Sequence, residues 1–389
     1  MTDKNNMLFN KDEMLETLSC PAKSKKKAEK REDVIQRLMA SADIYEDDIE
    51  KLGRGDNFDS ILELLLRDQS RGLRVIPMHI YSNGDIERVN LKEYHHIIWA
   101  TDNYKKRGKG YMPTDEIKVS DITKKRNRVV RPRVVKSAKE QLHRIKQKAE
   151  VFTPAWVCNH QNNLVDEVWF GRKDVFNREN DNHTWTPTTG KISFSTKRGQ
   201  TWLDYVTERR IEMCCGEAPY IVSRYDVTTG ELIPLNSRVG LLDRKLRVVG
   251  ENAESLDKWR EYAYKALRSI YAFEWQGDNL LIARENILVS FIEYYYDFCK
   301  KIGVNSEIST TSLAHIAYII SWNIFQMDGL NYTIPYSDQI PEKAILELEF
   351  DSKKIGKQAG VYAKIARWTG DGRQKYLTPI EFREILKSN

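Results

Sequence analysis

The sequence lacks the features that would place it among membrane, secreted or metal-binding proteins. No run approaches the roughly 18 apolar residues that cross a bilayer, and residues 1–10 lack the apolar core of a signal peptide. The five cysteines are scattered and odd in number, and their spacing matches neither a metal site nor a disulfide framework. We therefore expect a protein of the reducing cytoplasm with no membrane anchor and no bound metal.

The chain as a whole also lacks a strong excess of one charge, since its net charge is +6. With 41% hydrophobic and 30% charged residues, its composition is that of a globular protein, and 389 residues allow two or three domains. Apolar residues at helical spacing, such as Val34, Ile35 and Leu38, predict a helical N-terminal region over 1–72. A strand predicted from Leu73 opens a second region, 73–148.

Positive charge is concentrated in one part of the chain, residues 105–148, where lysine and arginine greatly outnumber acids. Such an excess can contact DNA phosphates and release counterions if the side chains share one face. A solvated linker has the same composition, so both interpretations stay open. The predicted DNA-binding residues are Lys124, Lys125, Arg126, Arg128, Arg131 and Arg133.

A short apolar stretch, Ile211 to Cys215, ends at Gly216 and is followed by Glu217-Ala218-Pro219-Tyr220. This pattern predicts a strand that runs into a tight turn with backbone N–H groups facing outward. In open α/β sheets a nucleotide-like ligand binds beside such a turn. A buried strand that ends in an ordinary turn has the same pattern, so the stretch alone does not decide its function.

Three further landmarks surround this turn along the chain. Upstream, Phe152-Thr153-Pro154 precedes an aliphatic stretch, where Thr153 can cap a helix and Pro154 can occupy its first turn. Downstream, residues 269–275 predict a strand that ends at Glu274, which can bind ribose hydroxyls or serve as a buried or capping acid. Farther on, Asp328 follows a short apolar strand.

In this order, the four landmarks resemble those of adenine-specific DNA amino-methyltransferases. The resemblance covers roughly residues 145–336 and implies an α/β domain, 149–389, with the Rossmann-like sheet of S-adenosylmethionine-dependent methyltransferases. It implies that the glycine turn holds the methionine part of the cofactor, that Glu274 binds its ribose and that Asp328 meets its adenine amino group. The implied cofactor-binding residues are Thr153, Pro154, Glu212, Gly216, Glu274 and Asp328. Met213 and Ala218 stand where the family usually has Pro and Gly.

The family's catalytic motif, Asn or Asp followed by Pro-Pro and an aromatic residue, does not occur in the sequence. In the family its polar side chain holds the target amino group, and its aromatic ring stacks on the flipped base. The nearest string in the right order is Thr333-Ile334-Pro335-Tyr336. The resemblance therefore implies Tyr336 as the stacking ring, with Asn331 or Asn323 as a side chain that reaches the amino group.

The sequence looks like proteins described as modification subunits of restriction systems. This implies a DNA-directed adenine methyltransferase of restriction-modification or phage defence, whose partners are double-stranded DNA and a restriction or specificity subunit. A catalytically silent module that binds DNA or a partner subunit is the alternative. A nuclease is a third interpretation, since Glu347, Glu349 and Lys364 could form an acidic metal site, although hydrophobic–acid alternation is typical of a strand with one solvated face.

Overall fold

The computed structural model of the protein describes residues 29–55, 59–82, 85–126, 128–148, 150–338, 360–369 and 376–387. Residues 1–28, and Glu347 and Glu349 of the proposed nuclease site, lie outside these ranges. Over the residues described, no helix is both long and apolar enough to span a membrane.

The N-terminal region is helical over its described part, as predicted. It contains α1 (Arg31–Met39), α2 (Glu46–Glu50) and α3 (Ile61–Leu66). Helix α1 buries Val34, Ile35 and Leu38 in the main hydrophobic core, so the helical spacing in the sequence corresponds to a packed face.

The region from 73 to 148 begins with an antiparallel hairpin and ends with a helix. The hairpin pairs β1 (Leu73–Ser82) with β2 (Asp85–Tyr94), which confirms the strand predicted from Leu73. The short helix α4 (Val119–Ile122) and the longer α5 (Ala138–Lys148) follow.

Helix α6 (Ala155–Phe170) opens the remainder of the chain. Its start is as predicted, but the capping group differs, because Pro154 is the extended residue before the first turn and the Ala155 N–H donates to the Asp226 carboxylate at 2.8 Å. The antiparallel pair β3 (Asn177–Glu179) and β4 (Trp185–Pro187), and then α7 (Trp202–Thr207), come next.

A parallel sheet of three strands, in the order β5-β6-β7, organises the rest of the chain. These strands are β5 (Arg210–Met213), β6 (Ile270–Glu274) and β7 (Ile324–Gln326). Parallel neighbours require crossover connections, which are helical here. The connections are α8 (Leu241–Asn252) and α9 (Leu256–Arg268), then α10 (Gly277–Lys301) and α11 (Thr310–Asn323). The chain is therefore a mixed α/β protein with a parallel sheet.

The two faces of the sheet pack against different elements. Ile270, Ala272 and Ile324 belong to the main core, together with residues of α9, α10 and α11. On the other face, Tyr271 and Phe273 belong to a smaller cluster. That cluster includes residues of β8 (Lys364–Thr369) and α12 (Phe382–Lys387), which flank β9 (Tyr376–Glu381). The carboxyl ends of β5, β6 and β7 form one edge, called the carboxyl edge below.

Candidate functional site

The glycine turn lies at the carboxyl edge and is tied to the neighbouring strand. The Cys215 N–H donates to the Phe273 carbonyl at 2.9 Å, and the Ala218 N–H donates to the Cys215 carbonyl at 2.7 Å. Cys214 and Ala218 have positive φ angles of 64°, and Gly216 has a φ of 54°. Left-handed conformations at non-glycine residues cost free energy and are concentrated at functional sites. The turn is therefore a strained part of this edge.

Glu274 ends β6 and connects the glycine turn to helix α10. Its Oε2 accepts a hydrogen bond from the Gly216 N–H at 2.9 Å, and its Oε1 accepts one from the Gln276 N–H at 3.1 Å. Burial raises the pKa of Glu274 to about 7, although these two hydrogen bonds oppose the shift. Each carboxylate oxygen has two lone-pair sites, so Glu274 can still accept hydrogen bonds from a ligand.

Glu212 on β5 lies close enough to Glu274 for the two carboxyls to repel each other. Burial, and then the charge of Glu274, hold the pKa of Glu212 well above its usual range. Its Oε2 is buried, with no hydrogen-bond partner among the described residues. The strongest charges acting on the pKa of either acid are those of other acids. Two adjacent carboxyls in such surroundings are suited to a positively charged ligand.

The segment Phe152 to Pro154 packs beside the glycine turn. Phe152 Cε1 lies 3.7 Å from the point where a side chain on Gly216 would begin, and the side chains of Thr153 and Tyr220 share a hydrogen bond. The structure therefore brings together five of the six predicted cofactor residues, from the segment before α6, from β5 and the turn after it, and from β6. These are Thr153, Pro154, Glu212, Gly216 and Glu274.

The sixth predicted cofactor residue, Asp328, follows β7 at the same edge but is bound within its own turn. Its Oδ1 accepts hydrogen bonds from the Leu330 and Asn331 N–H groups, at 2.8 and 3.2 Å. Its Oδ2 accepts one from Asn331 Nδ2 at 2.6 Å. Asp328 and Asn331 are therefore hydrogen-bonded to each other within this turn.

Tyr336 lies against the residue that follows Glu274. Its ring meets Trp275 edge to face, with centroids 5.5 Å apart, and its hydroxyl donates to the Ala100 carbonyl at 3.4 Å. Trp275 Nε1 donates to the same carbonyl at 2.9 Å. The structure thus places the predicted stacking ring next to the strand that carries Glu274.

A buried ionic network next to Glu274 was not predicted from the sequence. Arg144 donates to Asp278 and, at 3.0 and 3.1 Å, to Glu150, while Lys136 Nζ lies 3.8 Å from Asp278 Oδ2. Burial alone would raise the pKa of Asp278, but Arg144 and Lys136 lower it to about 2. Tyr104 also donates to Asp278, at 2.8 Å. In the sequence, Lys136 and Arg144 are indistinguishable from their solvated neighbours.

The predicted DNA-binding residues fall into two groups. Lys124, Lys125, Arg126 and Arg128 are exposed, and of these Arg126 pairs with Asp121 at 2.9 Å and Arg128 with Asp43 at 2.5 Å.

The other two predicted DNA-binding residues are partly buried. Arg131 lies 3.4 Å from Glu140. The Arg133 guanidinium lies 5.3 Å from the Phe152 ring centroid, and its backbone N–H donates to Glu217 at 2.6 Å. Arg133 therefore lies beside the glycine turn.

Comparison with known proteins identifies no family for this chain, because no family model, no curated protein and no solved structure matches it. Across the described ranges, no group of three or more His, Cys, Asp or Glu residues is arranged to hold a metal ion.

Proposed function

We propose that the protein binds S-adenosylmethionine at the carboxyl edge and acts on DNA as an adenine methyltransferase-like protein. The observation that carries the proposal is the adjacent pair Glu212 and Glu274, two carboxyls whose pKa values are raised by burial and, among charges, influenced most by other acids. A sulfonium cofactor carries positive charge and a ribose diol, and both match this pair.

The residues at the edge fit distinct parts of such a cofactor. Glu274 has lone pairs left for ribose hydroxyls at the end of the second strand, which is where dinucleotide-binding sheets place an acid. Glu212 contributes a buried, unpartnered oxygen close to it. Phe152, which precedes Thr153 and Pro154 in the chain, packs against Gly216 of the glycine turn. When bound, S-adenosylmethionine would supply an electrophilic methyl group.

DNA binding by this protein is supported by the exposed lysines Lys124 and Lys125. In the described structure, Arg126 and Arg128 are held in ion pairs with Asp121 and Asp43, whereas Lys124 and Lys125 form no such pair and are available for phosphate. A flipped adenine would stack on Tyr336, whose ring lies beside Trp275 and therefore one residue from the cofactor acid. Base stacking of this kind contributes about 1–3 kcal/mol.

A catalytically silent module is the second candidate, and one contact favours it. Asn331, the predicted acceptor for the target amino group, donates its amide to Asp328 at 2.6 Å. Activating an amino nitrogen requires an acceptor placed at that nitrogen. Asn331 Oδ1 would be this acceptor, but the bond from Nδ2 holds the side chain in its own turn. Binding of cofactor and DNA without methyl transfer is the expected behaviour of this candidate.

Calorimetry with S-adenosylmethionine tests the cofactor proposal. Because Glu274→Ala removes hydrogen bonds to the ribose, we expect its affinity to fall by about 1–3 kcal/mol, or roughly 5- to 150-fold. Glu231→Ala is a matched control, since Glu231 is an exposed glutamate outside this edge, and it should bind as the wild type does. Equal affinities for wild type and Glu274→Ala would remove the ribose assignment.

Transfer of a labelled methyl group to duplex DNA separates the two candidates. Transfer by the wild type, lost in Tyr336→Ala, supports the enzyme. Cofactor binding with no transfer on any duplex, with or without neighbouring subunits, supports the silent module.

A further inference from the structure

A second site lies at the opposite end of the parallel sheet, in a cavity of about 250 Å³ beside the start of β6. The cavity residues come from α7 and the segment after it, from α9 and β6, and from β8. The cavity is lined by Thr207, Arg209, Lys265, Arg268, Ser269, Tyr271, Trp368 and Thr369. Since β6 runs from Ile270 to Glu274, the cavity lies at the start of this strand and Glu274 lies at its end.

Arg268 is the most buried cation of this cavity, with only 8% of its surface exposed. Its Nε is buried and has no hydrogen-bond partner in the described structure, while its Nη2 is 2.9 Å from His315 Nε2. Burial lowers the pKa of Arg268, and no acidic side chain acts to raise it. An arginine buried without a carboxylate is costly unless a ligand supplies the anion.

The surroundings of Arg268 add further positive charge. Arg209 lines the cavity, and both Arg209 and Arg367 are exposed and act electrostatically on Tyr271. Lys265 also lines the cavity, but its Nζ forms an ion pair with Glu261 Oε1 at 2.9 Å.

The negative end of helix α9 would oppose an anion here, but its carbonyls are engaged. Asn323 Nδ2 donates to the carbonyls of Leu267 and Arg268, both at 3.2 Å, and to that of Ile270 at 2.9 Å. Trp368 holds the same side chain by donating to Asn323 Oδ1 at 2.8 Å. The last carbonyls of α9 are therefore bound by an amide, which reduces their repulsion of an anion.

We propose that this cavity binds a phosphate group. Guanidinium groups match phosphate oxygens with paired N–H donors, and Arg209 and Arg268 offer two of them in one cavity. Trp368 forms an aromatic wall, with the Arg268 guanidinium 5.0 Å from its ring centroid, and such a wall accommodates the organic part of a phosphate ester. The site is independent of the proposed cofactor site and needs no methyl transfer.

Calorimetric titration of the full chain with inorganic phosphate and with deoxyadenosine monophosphate, at constant ionic strength, tests the proposal. We expect saturable binding by the wild type and a loss of about tenfold or more in Arg209→Gln, because a charge-assisted contact is removed. Arg268→Gln should lose binding in the same way. Since burial makes this variant vulnerable to misfolding, the exposed Arg209 supplies the decisive result.

Arg178→Gln is the matched control, because Arg178 is an exposed arginine on β3 outside the cavity. It should bind phosphate as the wild type does. Absence of saturable binding by the wild type, or equal affinities for wild type and Arg209→Gln, would overturn the proposal. Once phosphate binding at this cavity is measured, a duplex oligonucleotide is added as a competitor. If it displaces the bound phosphate, the ligand is a DNA backbone phosphate; if it does not, the ligand is a small phosphate ester.

Discussion

At the scale of single residues, Glu274 and Glu217 connect segments that are distant in the sequence. Glu274 binds the N–H of Gly216 and that of Gln276. Glu217 is buried and accepts hydrogen bonds from the Arg133 N–H at 2.6 Å and the Tyr225 hydroxyl at 2.7 Å. These two acids therefore fix the glycine turn to β6 on one side and, on the other, to the lysine- and arginine-rich residues 105–148, called the basic region below.

The pKa of Glu274 predicts a pH dependence of stability. In the unfolded chain this carboxyl ionises near 4.5, whereas in the native protein it keeps its proton up to about 7. Between these values the native state binds more protons, so the free energy of unfolding should fall as the pH rises from 5 to 8. The loss from Glu274 is at most roughly 3 kcal/mol.

Urea denaturation of the wild type and of Glu274→Gln at pH 5, 6, 7 and 8 measures this contribution. The free energy of unfolding should decline less steeply with pH in Glu274→Gln, while the exposed control Glu231→Gln should keep the wild-type decline. Comparing slopes cancels the shared contribution of other acids with raised pKa values, such as Asp243 at about 6. Identical slopes in all three proteins would contradict the assignment.

At the scale of elements, buried ionic contacts join helices α5 and α10. Arg144 projects from α5 onto Asp278 in the first turn of α10, and Glu150 shares the same guanidinium. The site acid Glu274 lies immediately before α10. The position of α10, and with it the geometry of the carboxyl edge, therefore depends on the basic region.

Replacing Arg144 should destabilise the protein strongly, because Asp278 would keep its buried charge with less compensation. We expect Arg144→Met to reduce the free energy of unfolding by about 3–5 kcal/mol. Lys146→Met on the same helix removes an exposed charge and should change it by no more than about 0.5 kcal/mol. Urea denaturation measures the free energy of unfolding of both variants. Equal losses in Arg144→Met and Lys146→Met would show that the ion pairs of Arg144 do not stabilise the fold.

At the scale of the whole molecule, the basic residues divide by burial. Lys136 and Arg144 are buried in the network beside Glu274, whereas Lys124 and Lys125 lie at the surface. Only the exposed group can contribute to binding of DNA phosphates without unfolding. The number of lysines and arginines in the basic region is therefore larger than the number that can reach DNA.

The salt dependence of DNA binding tests this division. The logarithm of affinity falls with the logarithm of salt concentration by about 0.9 for each phosphate contacted, so Lys124→Gln with Lys125→Gln should make the slope shallower by about 2. The pair Lys191→Gln and Lys300→Gln removes the same charge from exposed positions elsewhere and should leave the slope close to the wild type. A slope unchanged by the first pair would point to another DNA surface.

The amino-acid sequence was enough to predict the elements whose signals are local. The spacing of Val34, Ile35 and Leu38 predicted α1, the apolar stretches predicted β5 and β6, and the acid at the end of β6 was identified as Glu274. Helix and strand periodicity depend on neighbouring residues, so they can be read without knowing what packs on them. The Rossmann-like methyltransferase sheet and its cofactor stay predictions.

Which charges are buried, and what each acid binds, could be learned only from the folded protein. Lys136 and Arg144 look like solvated residues in the sequence, and their partner Asp278 is more than 130 positions away in the chain. Likewise, β5 looks like a core strand, yet Ile211 and Met213 are 44% and 72% exposed. Burial and pairing of this kind arise from contacts between distant segments, and the local sequence carries no signal of them.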